Sequence, residues 1–341
     1  ALQNWLSAGG GTLMLDPVDQ GMGYLTGPLT VPNERHICGT SPSGIYLYNA
    51  GGWVSRLFFK PGSTGALLNG TGSQNVIIEN ICIDGLNIMQ TAGPPLIYIG
   101  DTNNSNETSW HIRDVLLYRA PGDAISLGQG NRSVEISGRT FIYNCMANGI
   151  RVRSSDCRFN NLCIGQCYNA GILYEQGGWT NVIYGCEIWE CFTGITIQSC
   201  ESIQIIGCFI DSMYQHGIYA FSTTSLTISS NHFTPSSQAL DTAAMNICLD
   251  QCTATMPLVI GNTFYKPSWA SSAKLPGYCI YSPNPYIETG NSYQAGVFRW
   301  AIDNGTGATT VENTLQHKGT KAGFYNATPI AKPTITGSRG G

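Results

Sequence analysis

The sequence predicts an all-β solenoid, a parallel β-helix, on two observations. The first is a repeat within residues 141–221, where FIYNCMANGIRV, CIGQCYNAGILY, EIWECFTGITI and FIDSMYQHGIY share one pattern. Their Gly-Ile pairs are separated by 22, 23 and 23 residues, and a period in the low twenties is typical of a solenoid with one repeat per coil. The second is composition: the segments are short and rich in Ile, Val, Phe, Tyr and Cys, with Gly and Asn at the breaks, which indicates strands. The pairs begin at Gly149, Gly171, Gly194 and Gly217.

The first residues predict a helix that runs into a strand. Leu2, Trp5 and Leu6 would share one helical face, glycines at 9–11 break the helix, and residues 12–15 continue as a strand. A solenoid needs a cover over its first coil, because an open end of apolar strands promotes aggregation. We therefore predict that residues 1–20 form an N-terminal capping helix and the first strand.

Residues 21–309 are predicted to form the β-helix itself. At least five coils are in register from about residue 110, since residues 116–127 align with the repeats. The period loosens after residue 221, although Asn231-His-Phe and Asn262-Thr-Phe share a turn pattern. Segments 101–109, 234–256 and 265–277 predict loop insertions, from which solenoids commonly build a binding surface. Residues 310–341 do not continue the repeat and predict an irregular C-terminal tail that leads to a missing or small terminal region.

Composition argues against several kinds of partner. The formal net charge is −4 and only 11% of residues are charged, so a basic surface for nucleic acid or for anionic membranes is not expected. The chain has no apolar run of about 18 residues that would span a bilayer. It also opens without the basic and apolar segments of a signal peptide. We therefore expect neither nucleic acid nor a membrane as a partner.

The thirteen cysteines predict core packing rather than disulfides or metal ligands. Cys145, Cys167 and Cys191 fall at one place in successive coils, and Cys186 and Cys208 at another. Equivalent positions of neighbouring coils lie about 4.8 Å apart, so we expect inward columns of small apolar side chains. No pair of CxxC motifs or His pair has zinc spacing, and no nucleotide-binding motif is present. We expect no metal and no cofactor.

Two terminal segments carry a resemblance to known families. ALQNWLSAGGGTLML resembles the N-terminal signature of the pectate-lyase-like superfamily, and TITGSRGG resembles a segment near the C-termini of bacteriophage tail and fibre proteins. Together they imply a phage tailspike with a right-handed parallel β-helix. The Asp-rich calcium-binding and Arg motif of true pectate lyases is not identifiable here.

The tailspike resemblance also implies an assembly and an activity. Such proteins are homotrimers of the virion that join other tail or baseplate proteins, here through a terminus missing from the chain. They bind bacterial surface polysaccharides at the host surface, outside the cell, and usually depolymerise them.

The register assigns the outward residues of successive coils. One outward column consists of Tyr118, Tyr143, Gly165, Trp189 and Asp211, and the next position of Arg119, Asn144, Gln166, Glu190 and Ser212. The position two residues before the first column consists of Leu116, Phe141, Cys163, Glu187 and Phe209. Aromatic rings beside carboxylates and amides suit a sugar, whose CH faces stack and whose hydroxyls form hydrogen bonds. Alternatively, the aromatic side chains stiffen the solenoid and the carboxylates only interact with solvent.

These columns predict a glycosidase site. Hydrolysis usually requires two carboxyl groups, about 5–5.5 Å apart for retention and about 6.5–9.5 Å for inversion, and neighbouring coils are spaced suitably. We assign Glu187 or Glu190 as the acid and Asp211 as its partner. Aromatic side chains would hold the sugar, namely Trp189, Tyr118, Tyr143 and Tyr214.

A second outward face contains Arg151, Arg153 and Glu175 on adjacent coils. Guanidinium groups suit the carboxylates of acidic sugars, and the alternative is a structural ion pair. A polysaccharide lyase would use such arginines to neutralise a uronate, with Tyr214 or His216 as the base. His216 lies between Gln215 and Gly217, and we expect it at an exposed turn.

Three functions therefore remain open. The first is a tailspike depolymerase that hydrolyses glycosidic bonds of a capsular, O-antigen or exopolysaccharide. The second is a lyase or epimerase that acts on uronic-acid polymers. The third is an adhesin that binds glycan without cleaving it.

Overall fold

The computed structural model describes residues 2–8, 11–18, 22–39, 55–86, 93–100, 108–130, 132–234, 244–252, 254–265, 278–282, 284, 286–294, 300–303 and 316–318. Its one helix in these ranges is α1 (Leu2–Ser7), and almost all regular structure is strand. The chain divides into two compact units, Ala1–Leu173 and Tyr174–Gly341.

The first unit winds three parallel sheets from short strands. In chain order these are β1 (Gly11–Leu15), β2 (Tyr24–Thr26), β3 (Leu29–Thr30), β4 (Arg35–Gly39), β5 (Arg56–Phe59), β6 (Leu68–Asn69), β7 (Val76–Glu79), β8 (Cys82–Asp84), β9 (Ile97–Ile99), β10 (Trp110–Arg113), β11 (Leu116–Tyr118), β12 (Ile125–Leu127), β13 (Glu135–Ser137), β14 (Phe141–Tyr143), β15 (Ile150–Val152), β16 (Arg158–Asn160), β17 (Cys163–Gly165) and β18 (Ala170–Tyr174). Every third strand pairs in the same sheet: β1 begins the first sheet, β2 the second and β3 the third. Each coil therefore contributes one strand to each sheet.

The second unit repeats this arrangement. Its strands are β19 (Trp179–Tyr184), β20 (Glu187–Trp189), β21 (Thr193–Gln198), β22 (Glu201–Ile206), β23 (Phe209–Asp211), β24 (His216–Phe221), β25 (Thr227–Ser229), β26 (His232–Phe233), β27 (Met245–Asp250), β28 (Leu258–Ile260), β29 (Thr263–Phe264), β30 (Tyr278–Tyr281), β31 (Ile287–Thr289), β32 (Ser292–Gln294), β33 (Trp300–Asp303) and β34 (Gln316–Lys318). Strands β19, β20 and β21 begin its first, second and third sheets. The predicted parallel β-helix is confirmed.

In many strands, alternation between buried and more exposed residues separates the core from the surface. In β14 and β17, Ile142 pairs with Ile164, and both side chains are fully buried. In β20 and β23, Ile188 pairs with Ile210, and these are fully buried as well. Because side chains point alternately to the two faces of a strand, the residues on either side of these isoleucines point outward.

The second and third sheets are joined through a left-handed residue in successive coils. The residue after the outward column has a positive φ of 50–59°, a conformation that bends the chain sharply and costs a residue other than Gly about 1 kcal/mol. These residues are Arg119, Asn144 and Gln166 in the first unit, and Glu190 and Ser212 in the second.

A column of buried asparagines holds the turns of the second unit. The backbone N–H of Asn231 donates to Oδ1 of Asn262 at 3.0 Å, and that of Asn262 donates to Oδ1 of Asn291 at 2.7 Å. Two residues further along, the rings of Phe233 and Phe264 stack at 5.0 Å with an interplanar angle of 12°. The shared Asn-x-Phe pattern of the sequence thus corresponds to two stacked columns.

The prediction that the cysteines pack in the core is confirmed. All thirteen thiols are free, and every one except the half-buried Cys163 is buried. Within the columns the S–H groups donate weakly to the carbonyl two residues earlier, as Cys191 does to Trp189 O at 3.4 Å. Burial raises the pKa of Cys82 to about 12, so this thiol stays protonated.

Two predicted irregular segments contain strands. Strand β27, within the predicted insertion 234–256, pairs with β24 and β30. Its four central residues, at 246–249, are all buried, so the strand lacks the alternation of buried and exposed residues that would have indicated it. Strand β34, within the predicted tail, pairs with β32. Residues 101–107, 235–243 and 266–277 of the predicted insertions lie outside the described ranges, and the domain limits 1–20, 21–309 and 310–341 remain predictions.

Helix α1 packs beside the first coil. Leu6 is fully buried, and the Gln3 amide accepts from Thr30 N at 2.7 Å and donates to Thr30 O at 3.1 Å, which pairs the helix with strand β3. The capping role of residues 1–20 remains a prediction. In the described ranges no helix has the length and apolar character needed to cross a bilayer.

Candidate functional site

The predicted site residues fall into two groups, one in each unit. Tyr118 and Tyr143 lie on the second sheet of the first unit, with ring centroids 5.9 Å apart and ring planes 15° apart. The guanidinium of Arg119 lies over the Tyr118 ring at 4.9 Å. The two half-buried rings form a flat outward surface of the kind on which a sugar can stack.

A buried ion pair fixes this surface. Arg119 donates from Nε and from an Nη to the two carboxylate oxygens of Asp84, at 3.0 and 2.6 Å. Asp84 is fully buried although it lies in the outward column, where it pairs with Tyr118. Sequence reasoning missed Asp84, because nothing local marks it as the partner of an arginine 35 residues away.

Several members of the outward columns are buried, as Ser212 and Leu116 show. Leu116 was predicted to face outward, but only 1% of its surface is accessible. It packs with Cys82 in an apolar cluster that Tyr118 and Phe141 flank. The side chain does not point into the core; its neighbours on the outer face cover it instead.

A cavity of about 340 Å³ opens on the third sheet of the first unit. It contains the predicted binding residues Arg151 and Arg153. The remaining lining residues are Tyr98, Ser126, Leu127, Gly128 and Gln129. Tyr98 was not among the predicted binding residues.

The predicted catalytic residues lie on two paired strands of the second unit. Glu187 pairs with Phe209, and Trp189 pairs with Asp211. Glu190 follows directly, and its N–H donates to Asp211 O at 3.2 Å. Glu187 is exposed, whereas Trp189, Glu190 and Asp211 are half-buried. The four side chains therefore share one local surface, while their roles remain predictions.

The Asp211 carboxylate is held in place by two hydroxyl groups. Ser212 Oγ donates to its Oδ1 at 2.8 Å, and Thr234 Oγ1 donates to the same oxygen. The Thr234 hydroxyl in turn accepts from Ser212 N at 3.0 Å. Both of these bonds reach Oδ1.

Tyr265, on the same local surface, was not predicted. Its ring lies 6.2 Å from that of Phe209. Burial, and then the negative charge of Asp211, raise the pKa of the Tyr265 phenol, so the hydroxyl remains a proton donor at neutral pH. Residue 265 lies 54 positions after Asp211, two coils later, because Ile210, Phe233 and Phe264 are paired in turn. The shared Asn-x-Phe pattern that precedes Thr234 and Tyr265 is the signal that could have identified it.

Exposed aromatic side chains border this group. Tyr214 was predicted to bind sugar, and 44% of its surface is accessible. Phe192, which was not predicted, is 45% accessible and occupies the adjacent coil, where Gln215 N donates to Phe192 O at 2.8 Å. Phe192 and Tyr214 each directly follow an inward residue, a Cys and a Met respectively. This shared position in the repeat is the signal that could have identified Phe192.

His216 differs from its prediction. It begins strand β24 and is half-buried rather than at an exposed turn, because its ring stacks on Tyr219 at 5.6 Å. Its Nδ1 accepts the N–H of Met245 at 3.2 Å. A nitrogen that accepts cannot carry the proton, so the neutral ring bears its proton on Nε2.

Glu175 was predicted to lie beside Arg151 and Arg153. It directly follows β18 and belongs to the second unit, whereas both arginines belong to the first. Its backbone carbonyl accepts from Cys200 Sγ at 3.2 Å. The grouping of the three side chains remains a prediction. Across the described ranges, no cluster of three or more His, Cys, Asp or Glu side chains could hold a metal ion.

Comparisons with known proteins agree with this architecture. A family model described as a right-handed β-helix region matches residues 95–264, and no curated protein matches the chain. The enzymatically active domain of tailspike protein 2 from bacteriophage CBA120 is 16% identical, with a TM-score of 0.69 over 92% of this chain and 51% of that one. A double mutant of the tailspike protein of E. coli bacteriophage HK620 is 12% identical, with a TM-score of 0.66 over 93% and 60%.

A third similar structure is not a phage protein. The A-module of a mannuronan C-5 epimerase from Azotobacter vinelandii is 12% identical, with a TM-score of 0.65 over 93% of both chains. At such identities the likeness concerns the fold. The chain spans about half the length of the CBA120 structure that it matches.

Proposed function

We propose that this chain, a right-handed parallel β-helix protein that shares its fold with phage tailspikes, binds a bacterial surface polysaccharide and hydrolyses its glycosidic bonds. In this proposal it acts as a homotrimer on a phage tail, outside the bacterial cell. Glu187 or Glu190 serves as the general acid, and Asp211 as the base or nucleophile.

The environment of Asp211 is the observation that carries the proposal. Two hydroxyl donors converge on Oδ1, which restrains the position of the carboxylate. Glutamates lie on the paired strand at Glu187 and one residue beyond Trp189. Two carboxyl groups beside an aromatic ring are the minimum set for hydrolysis of a glycoside.

Two further observations favour hydrolysis over β-elimination. A lyase needs a base to abstract a proton next to a carboxylate. His216 cannot serve through Nδ1, which accepts a backbone N–H, and in that tautomer Nε2 already carries a proton. The pKa of Tyr265 is raised by burial and by Asp211, so this phenol stays protonated at neutral pH, where it can donate a hydrogen bond but is a poor base.

Incubation with purified capsular, O-antigen and exopolysaccharides tests the proposal. Hydrolysis releases reducing ends without new absorbance near 235 nm, whereas a lyase produces that absorbance from an unsaturated uronate. Binding without either signal on every polysaccharide would identify an adhesin and refute the catalytic proposal.

Substitution tests the residue assignment. Asp211→Asn keeps the size of the side chain and removes the charge, and we expect a loss of kcat of about 10³-fold or more. Glu187→Gln and Glu190→Gln identify the acid as the one whose loss is rescued by substrates with better leaving groups. Glu201→Gln on strand β22, on the first sheet, is the matched control, and we expect normal turnover. Undiminished kcat in all three site variants would refute the assignment.

A further inference from the structure

The cavity on the third sheet owes its shape to one coil with small outward side chains. Strands β9, β12 and β15 pair in register, so that Tyr98, Ser126 and Arg151 form one outward column. The next outward position continues as Gly100, Gly128 and Arg153. The middle coil therefore presents only Ser126 and Gly128 between a tyrosine on one side and two arginines on the other. We call this cavity the arginine notch.

The glycines let the Tyr98 ring lie along this surface. A β-carbon on Gly100 would come within 2.6 Å of the Tyr98 hydroxyl oxygen, and one on Gly128 within 2.9 Å of the same atom. Real β-carbons do not approach so closely, so the ring occupies the space that side chains at these positions would fill. The Tyr98 hydroxyl is thereby placed at Gly128, inside the notch.

The lining chemistry suits an anionic polar ligand. Two guanidinium groups, the Tyr98 hydroxyl, Ser126 and Gln129 supply donors, and none of the residues that line the notch is acidic. A guanidinium has five N–H donors in a planar fork, which matches the two oxygens of a carboxylate. The volume of about 340 Å³ is roughly ten times the ~30 Å³ share of a water molecule, enough for a sugar ring.

We propose that the arginine notch binds the carboxylate of an acidic monosaccharide unit, so that the polysaccharide recognised by this chain is anionic. The carboxylate lies against Arg151 and Arg153, and the ring of the sugar lies over Ser126 and Gly128 beside Tyr98. This inference rests on the proposed function for the nature of the polymer. The inference adds that the polysaccharide is negatively charged and that the arginine notch recognises this charge.

Binding of a defined acidic oligosaccharide tests the notch. The probes are a hexasaccharide of polygalacturonate, the same hexasaccharide after reduction of its carboxyl groups, and inorganic phosphate, each titrated into the full chain by calorimetry. We expect the acidic hexasaccharide to bind and the reduced hexasaccharide to have an affinity at least about tenfold lower, because its charge-assisted hydrogen bonds to a guanidinium are lost. We expect inorganic phosphate to bind only weakly.

Three variants separate charge from shape. Arg151→Gln removes one guanidinium, and we expect a loss of affinity of about tenfold or more for the acidic probe and little change for the reduced one. Ser126→Tyr fills the notch without changing charge, and we expect a similar loss. Arg158→Gln on strand β16 makes the same charge change away from the notch and should bind as the parent does. Circular dichroism of each variant confirms that it is folded.

The outcomes distinguish this inference from the proposed function. Equal affinity of the parent, Arg151→Gln and Ser126→Tyr for the acidic probe would overturn the notch proposal, as would stronger binding of phosphate than of the hexasaccharide. Either result leaves hydrolysis at Asp211 untouched. Conversely, loss of acidic-probe binding in both notch variants supports the inference even if no polysaccharide is cleaved.

Discussion

Replacement of Asn262 by Leu should destabilise the second unit far more than its size change suggests. Asn262 Oδ1 accepts from both the N–H and the side-chain amide of Asn231, each at 3.0 Å. Its Nδ2 donates to Ile228 O and to Asn291 Oδ1, also at 3.0 Å. The side chain thus makes four hydrogen bonds, and it is fully buried. Leu has the same branched arrangement of side-chain heavy atoms but a larger volume, so the change leaves no cavity, and overpacking adds to the effect of the lost hydrogen bonds.

The size of the expected loss in stability depends on which buried polar groups keep a hydrogen-bond partner. The Asn231 amide still donates to Ile205 O, and Asn291 Oδ1 still accepts from the backbone N–H of residue 262. The N–H of Asn231 and the carbonyl of Ile228 lose the bond made by the amide. Two buried groups at about 1–3 kcal/mol each give an expected loss of about 4 kcal/mol in the free energy of unfolding.

Urea titration followed by tryptophan fluorescence measures this loss, and hydrogen exchange at the Asn231 amide localises it. Ser230→Gly is the matched control. Ser230 has a φ of 57°, and the aligned residues Gly207 and Gly261 have φ values near 64°, so glycine fits there. We expect the control to lie within about 0.5 kcal/mol of the parent. If Asn262→Leu is no less stable than Ser230→Gly, the hydrogen-bond argument is wrong.

Three further predictions concern the first unit. Burial tends to raise the pKa of Glu79, but hydrogen bonds and charges from Arg113 and a histidine outweigh it and leave the pKa lowered. Glu79→Gln should therefore lower the free energy of unfolding by about 1 kcal/mol at pH 7. In urea titrations, this difference from the parent should vanish as the pH falls through the pKa of Glu79 in the folded state, below the usual glutamate range. Arg119→Met should cost about 3 kcal/mol by thermal unfolding, because it removes the ion pair that Arg119 makes with the fully buried Asp84, and an unchanged midpoint would contradict this. Cys82, whose pKa burial raises to about 12, should resist iodoacetamide at pH 8 and react only in urea, as mass spectrometry of its peptide would reveal.

The repeat made the fold predictable. A constant period brings equivalent residues of neighbouring coils together, so the pairings of Tyr118 with Tyr143 and of Trp189 with Asp211 follow from counting. The buried cysteine columns follow from the same register. Where the period loosens, as at β27, the sequence no longer indicates the strand.

The sequence did not reveal the parts of the candidate site that depend on contacts between outward side chains or on small residues that leave space for a neighbour. Asp84 and Arg119 are separated by 35 residues, which is longer than one period, so counting does not reveal this pair. Thr234 lies 23 residues after Asp211, one period later, but the period does not show that its hydroxyl turns toward the carboxylate. The arginine notch depends on what Ser126 and Gly128 lack, so it could be recognised only once Tyr98 was placed beside them.

The left-handed turn residues bear on how such a chain changes over evolutionary time. Glu190 and Ser212 occupy the same turn in consecutive coils with φ values of 50° and 55°, so the backbone follows one path whichever side chain is present. A mutation at this position exchanges a carboxylate for a hydroxyl without moving the strands on either side. The backbone conformation and the side-chain chemistry of this turn can therefore evolve independently. Substitutions at this position can add, remove or move a reactive group from coil to coil while the solenoid fold is retained.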